Sequence, residues 1–382
     1  MNSILIVAGE NSGEKYGADV VHEFKKKWPS FFFFGIGGKK MLEEGVELIF
    51  PVEELSAIGI FEVISQIPHI KKIYSQLEKE VEARKPVGAL LIDSPDFNLR
   101  LARNLKKAGI PVLYYISPTV WAWRSGRLKT IKDVVSRMCL IFPFELRLYE
   151  EHSIPATFVG HPLKEKVKTR LSREEFLQKY SHPPDQRLIA LLPGSRKTEV
   201  KNNLPLLVKA VSRMKHNFSA DFLLVMAESL DREYLSRFLP PQEKDIQILD
   251  TDSYEAMAYS DLALSACGTA NLEAALLGTP CIAFYRVSPL TYYPFRRLLK
   301  IQDYSIVNIL AGKRIIPELI QRRFSPERLA EEAKKLLFSE ETRAEMKAEF
   351  RRIGDMLGQE KASENVAREL EKVIFRPDSQ RA

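Results

Sequence analysis

The sequence predicts an α/β protein made of two doubly wound, Rossmann-like domains in series, facing a central cleft and followed by a helical C-terminus. Three observations predict it. Short continuous apolar runs alternate with helix-length stretches from the first residues onward. The alternation stops in a polar, charged stretch after His161-Pro162 and then restarts. Residues 325–374 are helical in pattern, charged and almost free of glycine. Continuous apolar strands separated by helices call for a parallel sheet covered on both faces, because right-handed crossovers place helices there.

In chain order, strands are expected at residues 3–8, 31–36, 88–93, 111–116 and 138–142, within a first domain spanning 1–165. The run Phe31-Phe32-Phe33-Phe34 reads as a fully buried strand. Lys164, Arg173, Glu175 and His182-Pro183-Pro184 suit a connection, which puts a boundary between 160 and 187. A second domain over 166–354 then repeats the pattern, with strands at 188–192, 222–226, 246–249, 262–264 and 280–284. Pro326 suits the first turn of the helices that follow. The last of these, from about 355 to 382, have no sheet of their own. They are expected to cross back onto the first domain or onto a second subunit, so a homodimer is one expected assembly.

Composition excludes several classes. The chain has 382 residues, 45% hydrophobic and 28% charged, enough for a sizeable core and unlike a disordered chain. The net charge of +7 permits anionic partners. With no zinc-finger spacing, basic zipper or aromatic RNA-binding signature, it does not indicate nucleic acid. Cys139, Cys267 and Cys281 lack Cys-x-x-Cys spacing and read as reduced, buried thiols of a cytoplasmic protein. No apolar run approaches the ~20 residues of a membrane span, and the short run at 4–8 lacks a signal peptide's form.

Candidate chemistry sits at strand-to-helix loops. Ala8-Gly9-Glu10-Asn11-Ser12-Gly13-Glu14 brings two glycines to a turn but matches neither a dinucleotide fingerprint nor a P-loop, and an ordinary turn explains it as well. Asp93-Ser94-Pro95-Asp96 sets two carboxylates at a strand end; one is expected to cap the following helix, leaving Asp96 as the general base. Trp121, Trp123 and Arg124 occupy a loop where flat rings suit sugar stacking, or equally a structural cap.

In the second half, Gly194, Ser195 and Arg196 are placed to offer N–H groups and a guanidinium to a diphosphate. Gly268 and Thr269 open a helix suited to an anion, and Glu273 lies one turn in, where a carboxylate accepts from ribose hydroxyls. Asp250-Thr251-Asp252 superficially matches a metal-holding Asp-x-Asp, but an N-cap role is simpler, and no metal site or cofactor is expected. The six histidines show no metal or triad spacing, and no G-x-S-x-G elbow occurs.

Two segments suggest an apolar partner. Ile58, Ile60, Phe61, Val63, Ile64 and Ile67 spread too widely around a helix for one stripe, and Lys71 and Lys72 follow. A face edged by lysine suits a bilayer or acyl chains, while a helix buried between sheet and neighbour explains it about as well. Residues 284–300 mix tyrosines with arginines, as an interfacial belt or a packed lid does.

These motifs, in this order, resemble the lipid-A-disaccharide synthase family of inverting glycosyltransferases with the GT-B fold. The resemblance runs from residues 8–13 through 92–98, 117–124, Pro143-Phe144-Glu145, residues 159–163, 192–196 and 268–273 to Asn308-Ile309-Leu310-Ala311-Gly312. Glu14 departs from it, since the family's opening motif usually closes with Asp.

The resemblance implies transfer of 2,3-diacylglucosamine from its UDP derivative to 2,3-diacylglucosamine 1-phosphate, at the inner leaflet of the inner membrane, by a peripheral enzyme. On that reaction Asp96 is expected as base, Arg196, Gly268 and Thr269 at the leaving diphosphate and Glu273 at the ribose, and the resemblance alone implies Asn308 as a catalytic-site positioning residue. Glu10, Ser12, Asp93, Trp121, Trp123 and Arg124 then fall to acceptor or sugar binding. Two readings compete: another GT-B enzyme acting on a UDP-sugar, such as a peptidoglycan glycosyltransferase or an epimerase, and a non-catalytic nucleotide- or lipid-binding protein on the same fold.

Overall fold

A computed structural model describes residues 2–56, 63–243, 245–288, 292, 296 and 301–375. The chain forms two compact units, residues 1–162 with 357–382, and residues 163–356. Among the described residues the first unit holds a seven-stranded sheet. Its strands are β1 (Ser3–Ala8), β2 (Phe32–Gly37), β3 (Val46–Pro51), β4 (Gly88–Ile92), β5 (Val112–Tyr115), β6 (Arg137–Leu140) and β7 (Ala156–Phe158). The order is β3-β2-β1-β4-β5-β6-β7 and every pairing is parallel.

Both faces of this sheet are covered, as continuous apolar strands require. Leu5, Val7, Leu91 and Tyr114 point to one side, against the helices Val63–Arg84, Pro95–Lys107 and Arg127–Val134. Ile4, Ile6, Ile92 and Tyr115 point to the other, against the helix Asn11–Lys27. The helix Ala362–Ile374 also packs there, burying Val366, Leu370 and Val373. Each such side chain contributes roughly 1.5–3 kcal/mol on burial, which ties the last helix to β4–β6. At Gly35 the β2 backbone passes the Ile6 carbonyl so closely that a Cβ would sit 1.9 Å from it, and the register with β3 shifts at this point.

The second unit repeats the plan with β8 (Leu188–Leu192), β9 (Asp221–Val225), β10 (Gln247–Leu249), β11 (Leu262–Ala266), β12 (Cys281–Tyr285) and β13 (Glu318–Ile320). Their order is β10-β9-β8-β11-β12-β13, again parallel throughout. The helices Lys197–Asn217 and Pro326–Phe338 pack together on it. Pro326 takes the first helical position, where its missing N–H costs nothing, and the Ser325 hydroxyl accepts the Arg328 N–H at 3.3 Å.

The strands β3, β7 and β13 were not expected from the sequence. All three are edge strands; β3 and β7 are half-buried over much of their length and β13 is only three residues long, so none shows the continuous apolar run that marks an interior parallel strand. In each sheet the connection reverses direction at one point, between β1 and β4 and between β8 and β11. Ligands of open α/β sheets bind beside such points, at the carboxyl ends of the strands.

Candidate active site

At the first of these points the loop after β1 lies against the end of β4. The Gly9 N–H donates to Ile92 O at 3.4 Å, and a Cβ on Gly9 would come within 1.9 Å of Ser94 Cβ, so only glycine fits. Asp93 and Ser94 are both left-handed, at φ 51° and 44°, a conformation that costs non-glycine residues energy. Three groups brace it. The amide of buried Asn98 donates to Ile92 O at 3.1 Å and Asp93 O at 2.8 Å, the Tyr114 hydroxyl donates to Asp93 O at 2.5 Å, and the Asp93 N–H donates to Tyr115 O at 3.0 Å. Asp93 is half-buried there, and Glu10, at the cap of the helix Asn11–Lys27, and Ser12, in its first turn, stand exposed.

Neither aspartate caps the helix, contrary to expectation. The cap position is Ser94, without a side-chain bond, because Pro95 supplies the first helical residue and pushes Asp96 inside the first turn. Asp96 is 79% exposed and pairs with Arg124 at 3.3 Å and with Arg127. Arg127 was not singled out from the sequence. Its position, three residues after Arg124 at the start of the helix Arg127–Val134, was the available signal.

The tryptophans divide. Trp121 packs edge-on against Phe144 with centroids 5.2 Å apart, a structural contact. Trp123 donates from Nε1 to Thr119 Oγ1 at 2.9 Å, and the Arg124 guanidinium lies 4.4 Å from its ring centroid. Beneath this loop Glu145 is buried, its carboxylate accepting the Phe142 N–H at 3.3 Å. Burial pushes its carboxyl up to about 8. His161 is buried against the Phe142 ring at 5.1 Å, and burial lowers it to about 3. Glu14, the departure from the family pattern, is also buried, and its Oε1 accepts the N–H groups of Lys40 at 2.5 Å and Met41 at 3.1 Å.

In the second unit, pairing of β8 with β11 sets the loops at 193–196 and 267–269 side by side at adjoining strand ends. Gly194 has φ 126°, and a Cβ there would meet Glu199 Cβ at 2.6 Å. The Glu199 carboxylate accepts the N–H groups of Ser195 at 3.0 Å and Arg196 at 3.3 Å. This corrects the expected use of the Ser195 N–H: the amide is bonded inside the protein, because the helix start needs an acceptor and Glu199 supplies one. The Arg196 side chain is 69% exposed. Gly268 is extended, with open space where a Cβ would stand, and Thr269 begins the helix Thr269–Leu276. On that helix Glu273 accepts from the Tyr254 hydroxyl at 3.3 Å.

Asn308 is fully buried, and its amide is saturated. Nδ2 donates to Ile316 O at 3.0 Å and Glu318 Oε1 at 2.8 Å, while Oδ1 accepts from Ile315 N at 2.8 Å and Ile316 N at 3.0 Å. The four bonds tie Asn308 to the 315–318 backbone, as a positioning residue would be tied. The Asp-x-Asp carboxylates go to Arg232 from Asp250 at 3.3 Å, and to Lys179 and Tyr180 from Asp252, so Asp252 does not cap with its side chain.

Ile58, Ile60 and Phe61 lie outside the described residues, as do the side chains of Val63, Ile64 and Ile67 at the start of their helix. In the second apolar segment, Tyr293, Phe295, Arg297 and Lys300 do too. Among the described residues no helix is long and apolar enough to cross a membrane.

The sequence profile of the family described as lipid-A-disaccharide synthetase matches residues 4–372. The chain is 42% identical over 374 residues to lipid-A-disaccharide synthase of Syntrophus aciditrophicus, covering 96% of this chain and 97% of that one. It is 39% identical over 369 residues to lipid-A-disaccharide synthase of Geobacter sulfurreducens, covering 95% of each. Among solved structures it is similar to a UDP-GlcNAc 2-epimerase from Neisseria meningitidis bound to UDP-GlcNAc, with TM-score 0.65 and 13% identity, over 98% of this chain and 100% of that one. A glycosyltransferase from Rickettsia africae aligns with TM-score 0.58 and 15% identity over 99% of each chain. At these identities the structural likeness speaks for the two-domain GT-B fold alone.

Proposed function

The chain belongs to the lipid-A-disaccharide synthetase family and is a disaccharide-forming glycosyltransferase; on that premise we propose that it moves 2,3-diacylglucosamine from its UDP derivative onto 2,3-diacylglucosamine 1-phosphate. The acceptor 6-hydroxyl oxygen bonds to the donor anomeric carbon, the bond from that carbon to the diphosphate breaks, and the hydroxyl proton passes to a carboxylate. Products are a β-1,6-linked acylated disaccharide phosphate and UDP, and one displacement inverts the anomeric centre.

The observation that most supports this reading is the braced turn at Asp93. A base must be held within hydrogen-bond reach of its proton, and strained backbone persists where surrounding bonds over-determine it. Asn98, Tyr114 and the β5 backbone do that for Asp93. Asp96, the base expected from the sequence, has oxygens turned to Arg124 and Arg127. We therefore assign the proton to Asp93 and give Asp96 the ordering of those two arginines. In the second unit, Arg196 with Gly268 and Thr269 meets the charge growing on the leaving diphosphate, and Glu273 the ribose. Both substrates carry acyl chains, so the enzyme works peripherally at the inner leaflet of the inner membrane, with residues 58–67 as its apolar contact.

UDP release is measured in detergent with UDP-2,3-diacylglucosamine, with and without 2,3-diacylglucosamine 1-phosphate, and with EDTA present. Acceptor-dependent release that survives EDTA supports the reading; release without acceptor points to a hydrolase or epimerase. Asp93→Asn is expected to lose ~10²–10⁴ in rate and Asp96→Asn less. The opposite ranking returns the base to Asp96.

A further inference from the structure

Beside β13 the second unit holds a cavity of about 620 Å³, lined by none of the loops at 193–196 and 267–273. Its wall includes Arg296, Arg314, Arg322 and Arg323 with Tyr292 and Tyr304. The lining carboxylate, Glu318, is already spent: it accepts from Ser305 N at 2.9 Å, Tyr304 N at 3.0 Å and Asn308 Nδ2 at 2.8 Å. Arg314 is held by Asp303 through two bonds of 3.0 and 2.6 Å. Among the described residues no carboxylate pairs with Arg296, Arg322 or Arg323.

The backbone that presents these cations is anchored. Arg322 and Arg323 lie on the single turn Gln321–Arg323 directly after β13, and Gln321 is left-handed at φ 55°. With its amide oriented to satisfy both atoms, Gln321 bonds the N–H and C=O of Val287 at 3.1 Å each. Like charges gathered on a fixed turn repel one another until an anion joins them. Guanidinium forks match phosphate oxygens two at a time, and the volume admits a monosaccharide phosphate or a lipid headgroup.

We infer that this cavity binds a phosphate group carried by a membrane-borne molecule, either the sugar 1-phosphate acceptor or an anionic lipid headgroup. The first source rests on the function proposed above; the second does not. Arg322 and Arg323 grip the phosphate, and Arg296 supplies further positive charge at the rim.

The full chain is titrated with glucosamine 1-phosphate by calorimetry, and sedimented with phosphatidylcholine vesicles containing or lacking phosphatidic acid. Wild type is compared with the Arg322→Ala/Arg323→Ala pair and with the Arg322→Lys/Arg323→Lys pair. The alanine pair is expected to weaken at least one of the two interactions about tenfold or more, and the lysine pair to weaken it less, with UDP affinity and thermal midpoint unchanged. Loss confined to glucosamine 1-phosphate identifies the acceptor as the source, and loss confined to phosphatidic acid identifies the headgroup. If the alanine pair binds both probes as wild type does, or wild type binds neither, the inference is overturned. Neither readout needs turnover, so a protein that shows these losses but transfers no sugar keeps the phosphate site and loses only the reaction proposed above.

Discussion

The Glu199 carboxylate accepts the Ser195 N–H at 3.0 Å, so an internal anion sits where the helix Lys197–Asn217 begins. The diphosphate binding proposed above therefore falls chiefly to the Arg196 side chain and the loop at 268–269. Gly194 allows this arrangement, because its φ of 126° and the nearness of Glu199 Cβ leave no room for another residue.

Glu199→Ala removes the acceptor that orders the loop, while Glu199→Gln keeps one and drops the charge. Calorimetry is expected to show UDP affinity falling about tenfold in the alanine variant and staying within about twofold in the glutamine variant. Equal affinities in both would mean that the loop does not help to bind UDP.

Arg127→Ala removes one partner of an exposed carboxylate. Stability should move by less than ~1 kcal/mol, as is usual for exposed pairs. The KM for acceptor should rise while donor KM holds, because Asp96, the partner of Arg127, lies three residues after Asp93, to which the acceptor proton is assigned. A change in donor KM alone would contradict that assignment.

Asn308→Ala leaves the N–H groups of Ile315 and Ile316 without their acceptor and takes one of three donors from the Glu318 carboxylate. The expected loss is ~3 kcal/mol or more, read as a lower urea midpoint at unchanged m-value. Activity per folded molecule should fall less than in Asp93→Asn, since the Asn308 amide is fully bonded within the protein. A fully stable but inactive Asn308→Ala protein would contradict this.

Glu145 and His161 flank Phe142 and set opposing pH dependences. The Glu145 carboxyl is raised to about 8 by burial, so the stability it contributes is complete below its unfolded value near 4.5 and is lost as pH rises toward 8. His161 is lowered to about 3, so its contribution is present above its unfolded value near 6.5 and lost as pH falls toward 3. Thermal midpoints of Glu145→Gln should therefore gain on wild type between pH 5 and 8, whereas a constant difference would show that Glu145 does not titrate in this range.

Much of the fold was legible because interior parallel strands are apolar on both faces. Residues 3–8 and 188–192 declare themselves in this way, and Ser3–Ala8 and Leu188–Leu192 form as strands. The edge strands β3, β7 and β13 were not legible, since short or half-buried strands of mixed composition look like loops. At the candidate site, the loop positions were readable from glycines and carboxylates at strand ends. The partners were not: Arg127 against Asp96, Glu199 against Ser195, and Glu318 against Asn308 each depend on how separate turns are set beside one another.

By itself the sequence determined the α/β class, the repeated doubly wound plan and the ordered motifs of the family, because periodicity, glycine placement and motif order are local properties of the chain. Only the tertiary structure decided which polar atoms are already satisfied within the protein. Asn308 is saturated, Asp96 is paired, Asp93 is held in a strained turn, and three arginines beside β13 lack carboxylate partners among the described residues. The reason is physical: a hydrogen bond or ion pair depends on distances of about 3 Å between atoms far apart in sequence, and no spacing along one chain specifies them.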